Sequence, residues 1–90
     1  MRTELATIFV EFIPENENLV EGIIYVSEKY KTSTHLCPCG CGNLVVLPFG
    51  NGGWQYLRTN DEVTFSPSVG NFQFPCKSHY FIERNHLRHV

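Results

Sequence analysis

Short apolar runs alternate with polar breaks along the whole chain. Residues 5–13 are β-branched and aromatic (Leu5-Ala6-Thr7-Ile8-Phe9-Val10-Glu11-Phe12-Ile13) and predict a strand, which the polar stretch from Pro14 to Asn18 ends. Leu19, Ile23 and Tyr30 could share a helix face, but Gly22 and the cluster Ile23-Ile24-Tyr25-Val26 favour a second strand over 22–27. Residues 28–33 fit one turn. Thr34 to Cys37 leads into a cysteine cluster and residues 44–49 lead out of it, so strand, tight turn, strand is the simplest arrangement. Gly50-Asn51-Gly52-Gly53 reads as a flexible loop. Residues 54–57 and 62–66 flank Arg58-Thr59-Asn60-Asp61 as a hairpin, with Val63 and Phe65 alternating against Thr64 and Ser66. Pro67 to Asn71 reads as a second turn-rich loop. Residues 72–76 and 79–83 carry further strand, and Arg84-Asn85 turns into a last short one. The pattern predicts a mostly β, single-domain sheet fold over residues 1–90, with about six to eight short strands.

Composition sharpens this picture. Twelve aromatics in 90 residues favour strands. A chain of this size buries only roughly 60–65% of its unfolded surface, so a covalent or metal staple would help its thin core. The net charge of −2 offers no basic field for nucleic acid, and the run Arg84 to His89 reads as a solvated tail or edge strand. No apolar stretch reaches the ~18 residues of a membrane helix. The opening residues lack the pattern of a secretory leader, so the expected compartment is the cytoplasm, where thiols stay reduced.

In that compartment four cysteines are read as metal ligands before disulfides. Cys37, Cys39 and Cys41 lie on one tight loop, His35-Leu36-Cys37-Pro38-Cys39-Gly40-Cys41-Gly42, and Cys76 brings a fourth sulfur from a distant segment. Zinc takes four N/S ligands at ~2.0–2.3 Å. The spacing is not that of a zinc ribbon, and three ligands at alternate positions are crowded. His35 or His79 could therefore replace one thiol. A redox or nucleophilic cysteine is the other chemical reading of the cluster.

If the cluster is a closed structural zinc site, chemistry must lie elsewhere. Serine activated by histidine is the minimum unit of acyl transfer, and two such pairs are conceivable. A register pairing Cys37 with Cys76 on antiparallel neighbours would put His35 opposite Ser78. The alternative is Ser68 with His79. Gly70 offers a backbone N–H and Asn71 a side-chain amide for an oxyanion, and Glu28 or Glu83 could orient a histidine. The bland readings are a turn for Ser68, a sulfur contact for Ser78, and a ligand or packing role for His79.

The chain also resembles a known bacterial family. The residues that carry the likeness are Gly22-Ile23-Ile24-Tyr25-Val26-Ser27, Tyr30, the segment His35 to Gly42, Val45-Val46, Trp54, Val63-Thr64, Pro67-Ser68-Val69-Gly70-Asn71, Cys76, Ser78-His79-Tyr80 and Ile82. They span roughly residues 19–87. They are similar to the BubE-type family, encoded in operons beside a ubiquitin-like protein, an activating enzyme and a conjugating enzyme. Phe81 and His89 depart mildly from the family pattern.

The resemblance implies a deubiquitinase-like serine peptidase with bound zinc, which trims or removes a ubiquitin-like protein at its C-terminus. It carries His35, Ser68, Ser78, His79 and the four cysteines onto this chain as candidate site residues. An extended tail could dock by adding a strand to a sheet edge, with Trp54, Tyr56, Tyr80 and Phe81 lining the groove. The alternative is a non-enzymatic zinc-binding adaptor that contacts the ubiquitin-like protein or its activating or conjugating enzyme. No nucleic acid and no membrane is expected as a partner.

Overall fold

The computed structural model describes residues 2–90. Eight short strands form two four-stranded sheets, with one 3-10 turn at Asn16–Asn18 as the sole helical element among the described residues. The first sheet holds β1 (Ala6–Phe9), β2 (Ile23–Ser27), β3 (Thr32–Leu36) and β4 (Leu44–Val46) in chain order. β1 runs parallel to β2, and the other pairs are antiparallel. The second sheet is an antiparallel meander of β5 (Gln55–Thr59), β6 (Glu62–Gly70), β7 (His79–Glu83) and β8 (His86–His89). No helix is long and apolar enough to cross a membrane.

The inner faces of the two sheets supply the core. Ile24, Val26, Val45 and Leu47 from the first meet Val63, Phe65, Val69, Tyr80 and Ile82 from the second. Along β7 the period of two is explicit: Tyr80 and Ile82 are wholly buried, and His79 and Phe81 stand on the other face. The sheets are stitched along one side, where Leu5 N–H donates to the Asn85 carbonyl at 2.7 Å and Leu87 N–H to the Thr3 carbonyl at 2.8 Å.

Most of the expected strands form with shifted ends: β1 and β4 are shorter than expected, and β5 and β6 run longer. Residues 5–13 contribute strand only over Ala6–Phe9, because Glu11 and Phe12 are exposed and no longer pair. Two expectations are corrected. Pro67 to Asn71 is not a loop, since β6 continues through Gly70. Residues 71–78 are turns rather than strand, with Phe74 N–H and Lys77 N–H closing on the carbonyls of Asn71 and Phe74. The reason is a bulge. Phe65 pairs with Ile82 and Val69 with Tyr80, so Ser66, Pro67 and Ser68 share the space opposite Phe81 alone. Turn-forming residues inside the run mark this irregularity, not the end of the strand.

Candidate active site

The first constellation is the cysteine cluster. Cys37 leaves β3, and the loop folds back at once, with Cys37 N–H bonded to the Asn43 carbonyl at 2.8 Å. Gly40 and Gly42 make this possible by taking φ of 92° and 81°, a region costly for residues with a Cβ. Cys76 arrives from the turns before β7. The four Sγ atoms all lie within 4.8 Å of one another, and no disulfide joins them. Contacts run from 3.4 Å (Cys37 to Cys39) through 3.7 Å (Cys37 to Cys76) to 3.8 Å (Cys41 to Cys76). Four sulfurs at ~2.3 Å from one tetrahedral zinc sit ~3.8 Å apart, so the cluster fits such an ion.

Burial pushes the Cys37 thiol up, and partial burial together with the neighbouring sulfurs pushes Cys39 to about 12. Cys76 is drawn down to about 6, first by the Ser78 backbone N–H, and Cys41 is lowered by that of Asn43. The Asn43 amide also donates to the Cys41 sulfur at 3.3 Å. A bound dication favours the thiolate at all four positions, which relieves this uneven sharing of protons.

A buried polar chain runs inward from the cluster. Asn71 Nδ2 donates to Ser78 Oγ at 2.9 Å, and Ser78 Oγ lies 3.1 Å from the Cys37 sulfur. Having accepted from Asn71, the Ser78 hydroxyl has its own proton left for the sulfur. Asn71 also reaches Tyr80 OH at 3.4 Å, and Tyr80 OH meets His35 Nε2 at 2.7 Å. His35 is wholly buried, and desolvation lowers it to about 4, so it is neutral at pH 7.

The register that would set His35 opposite Ser78 is not formed. β3 lies in the first sheet, where His35 faces Val45, and Ser78 precedes a strand of the second. Neither His35 nor His79 enters the sulfur cluster. Asn71, with its amide turned inward, offers no donor to Ser68.

The second constellation stands on the outer face of the second sheet. Ser68 Oγ lies 2.8 Å from His79 Nε2, and both residues are half-buried. The bulge carries Ser68 to this position beside β7. The His79 ring is bracketed by Phe72, edge-on at 5.4 Å, and by Phe81, roughly parallel at 6.3 Å. Arg88 lies over the Phe81 ring at 4.2 Å. Glu28 and Glu83 do not reach the histidine. Glu28 holds Tyr56 and Arg58, and Glu83 holds Arg88. With Nδ1 carrying the ring proton, Nε2 is the acceptor and the Ser68 hydroxyl the donor, the arrangement a general base needs.

The four aromatics expected in a groove divide. Tyr80 is wholly buried and bonded to His35, whereas Trp54 and Tyr56 pack against the core. Phe81 alone belongs to the outer face. Phe72 was not singled out in the sequence, although its place two residues after Gly70 is the signal that it returns to the face bearing Ser68.

A family model described as "Bacterial ubiquitination-like system serine protease (BubE)" matches residues 9–90 of the chain. No curated protein and no solved structure matches it.

Proposed function

Because the chain belongs to the BubE family of bacterial ubiquitination-like system serine proteases, we propose that Ser68 is its nucleophile and His79 the base. The substrate is the C-terminal tail of the system's ubiquitin-like protein, as a precursor or joined to a target. The observation that carries this reading is the 2.8 Å contact between Ser68 Oγ and His79 Nε2 on an accessible sheet face. Of the two serine–histidine pairs weighed from the sequence, Ser68 and His79 alone are in contact.

The reaction follows from the geometry. Ser68 Oγ bonds to the carbonyl carbon at the end of the tail while its proton passes to His79 Nε2. The C–N bond then breaks, and His79 gives that proton to the leaving amine. Water, deprotonated by His79, then bonds to the acyl carbon, the C–Oγ bond breaks, and His79 returns the proton to Ser68 Oγ. The aromatic bracket of Phe72 and Phe81 limits rotation of the imidazole, a task that a carboxylate performs in a triad.

Cys37, Cys39, Cys41 and Cys76 would hold one zinc ion, which contributes folding energy as a closed four-sulfur site and no open coordination position. Ser78 and Asn71 steady the Cys37 sulfur, and Tyr80 with His35 extends that support into the core.

A serine-directed fluorophosphonate and an intact-mass assay on the ubiquitin-like precursor test this together. Labelling and tail loss are expected in wild type and in Ser78→Ala protein that folds, and neither in Ser68→Ala. Activity retained by Ser68→Ala would overturn the assignment.

A further inference from the structure

We infer that the tail binds as an added β-strand along Ser68–Gly70, in a lane beside β6 that β5 leaves vacant. This deepens the peptidase reading and rests on it for the identity of the substrate. The lane follows from the register. β5 and β6 pair from Thr59 with Glu62 up to Gln55 with Ser66. Continued, that register would set Gly53 against Ser68 and Asn51 against Gly70. The chain does not continue it. Trp54 N–H donates to the Pro48 carbonyl at 2.8 Å and Gly53 N–H to that of Gly50 at 3.0 Å, so this segment belongs to a turn against Pro48. A Cβ on Gly53 would lie 2.2 Å from the Pro48 oxygen, so glycine is what allows so close an approach. β6 thus extends past the point where its neighbour turns away.

The backbone there faces the lane. Asn71 N–H donates to the Ser78 carbonyl at 2.7 Å, and the His79 carbonyl accepts from Val90 N–H at 2.9 Å, on the β8 side of β7. Gly70 and His79 are therefore a pair without mutual hydrogen bonds, and the Gly70 N–H and C=O point away from β7. The Ser68 C=O, in the same peptide as the Val69 N–H that faces Tyr80, points away from β7 too. Pro67 and Gly70 are exposed, and no turn or loop backbone hydrogen bond engages Ser68 or Gly70 among the described residues.

The open edge is bordered by the proposed nucleophile itself, and a backbone edge suits an extended peptide and not a folded surface. A peptide strand sits ~4.8 Å from β6. At that distance the Gly70 N–H meets a carbonyl oxygen of the tail beside Ser68 Oγ, where an oxyanion donor is needed. Phe72, 63% exposed, stands over Gly70 and would contact the tail's side chains.

The test uses a synthetic peptide of about ten residues from the ubiquitin-like precursor that spans its cleavage point, most of them before it, the length a strand can engage. Amide exchange is read on 15N-labelled Ser68→Ala protein, which cannot turn the peptide over, and cleavage is read separately on wild type. The peptide is expected to slow exchange at Gly70. N-methylation along the peptide is expected to weaken binding about tenfold at alternate residues only. Cleavage by wild type with Gly70 exchange unchanged, or sensitivity without the period of two, overturns the docking and leaves the peptidase standing. Protection at Gly70 without wild-type cleavage supports the docking and removes the peptidase reading. No binding at all overturns the docking.

Discussion

His79 and Tyr80 are consecutive in β7 and serve opposite faces of one sheet: His79 meets Ser68 outside, and Tyr80 meets His35 in the core. The sheet's period of two separates the proposed reactive pair from a buried polar one by a single residue step. Substitutions at the two positions should therefore fail in different ways. His79→Gln is expected to cut turnover by about 10²–10⁴-fold while unfolding midpoints stay near wild type. Tyr80→Phe leaves His35 Nε2 without its partner and is expected to cost about 1–3 kcal/mol in urea denaturation. Folded Tyr80→Phe protein should still take a serine-directed label at Ser68. Equal stability losses in the two variants would contradict this division.

Asn85 links the two sheets. Its Oδ1 accepts from Thr7 Oγ1 at 2.8 Å and from Val63 N–H at 2.9 Å, and its φ is 67°. Asn85→Ala removes both acceptor contacts and puts a Cβ-bearing residue without a local polar contact in the left-handed region. The expected cost is about 2–4 kcal/mol. Asn85→Gly should recover about 1 kcal/mol of this by relieving the backbone alone. Asn85→Asp, which keeps an acceptor, should stay closest to wild type. Thermal melts of the three rank the two effects.

Much of this was legible in the sequence, for local reasons. Alternation marked Val63 and Phe65 as one face of a strand, and Arg84-Asn85 marked the tight turn, where both residues take positive φ. The glycines within Cys37–Gly42 marked a loop whose sulfurs converge. What the sequence hid was non-local. Pro67 and Gly70 read as loop residues because their effect depends on β7 alongside, which accommodates Pro67 in a bulge and keeps Gly70 paired with His79. The expected partnership of His35 with Ser78 assumed that residues flanking Cys37 and Cys76 share a sheet. The cluster instead bridges two sheets, and Tyr80 fills the position that Ser78 was expected to hold. Ser68 and His79 were on the page, but their contact depends on the bulge.

His35 also sets a pH dependence. Its folded value, about 4, lies below the ordinary 6.5 because burial disfavours the charged ring. Below pH 6.5 the unfolded chain takes up a proton that the folded chain refuses, so unfolding gains. The stability is complete above 6.5 and falls as the pH drops toward 4, by about 3 kcal/mol in all. Cluster thiolates protonate in acid as well, so the comparison must be with His35→Gln at the same metal excess. Urea midpoints between pH 7.5 and 5 should fall less steeply in the variant. Parallel slopes would show that His35 contributes nothing to the acid loss.

Metal removal should abolish activity without touching the reactive pair. Cys76 lies three residues before His79, in the turns that deliver β7 to the sheet. Held on one ion with Cys37, it would fix where that strand starts. A structural zinc contributes about 10 kcal/mol or more of binding free energy in small domains, and a thin core cannot replace that. A strong chelator is therefore expected to unfold the chain and to end serine labelling, and added zinc to restore both. Metal analysis should give one ion per chain, lost in Cys37→Ser. Cys41→Ser should lower the melting temperature less, because Cys41 is exposed, whereas Cys37 is wholly buried and also supports Ser78. A chelated protein that keeps its fold and its Ser68 labelling would show that the four sulfurs are not what holds β7 in place.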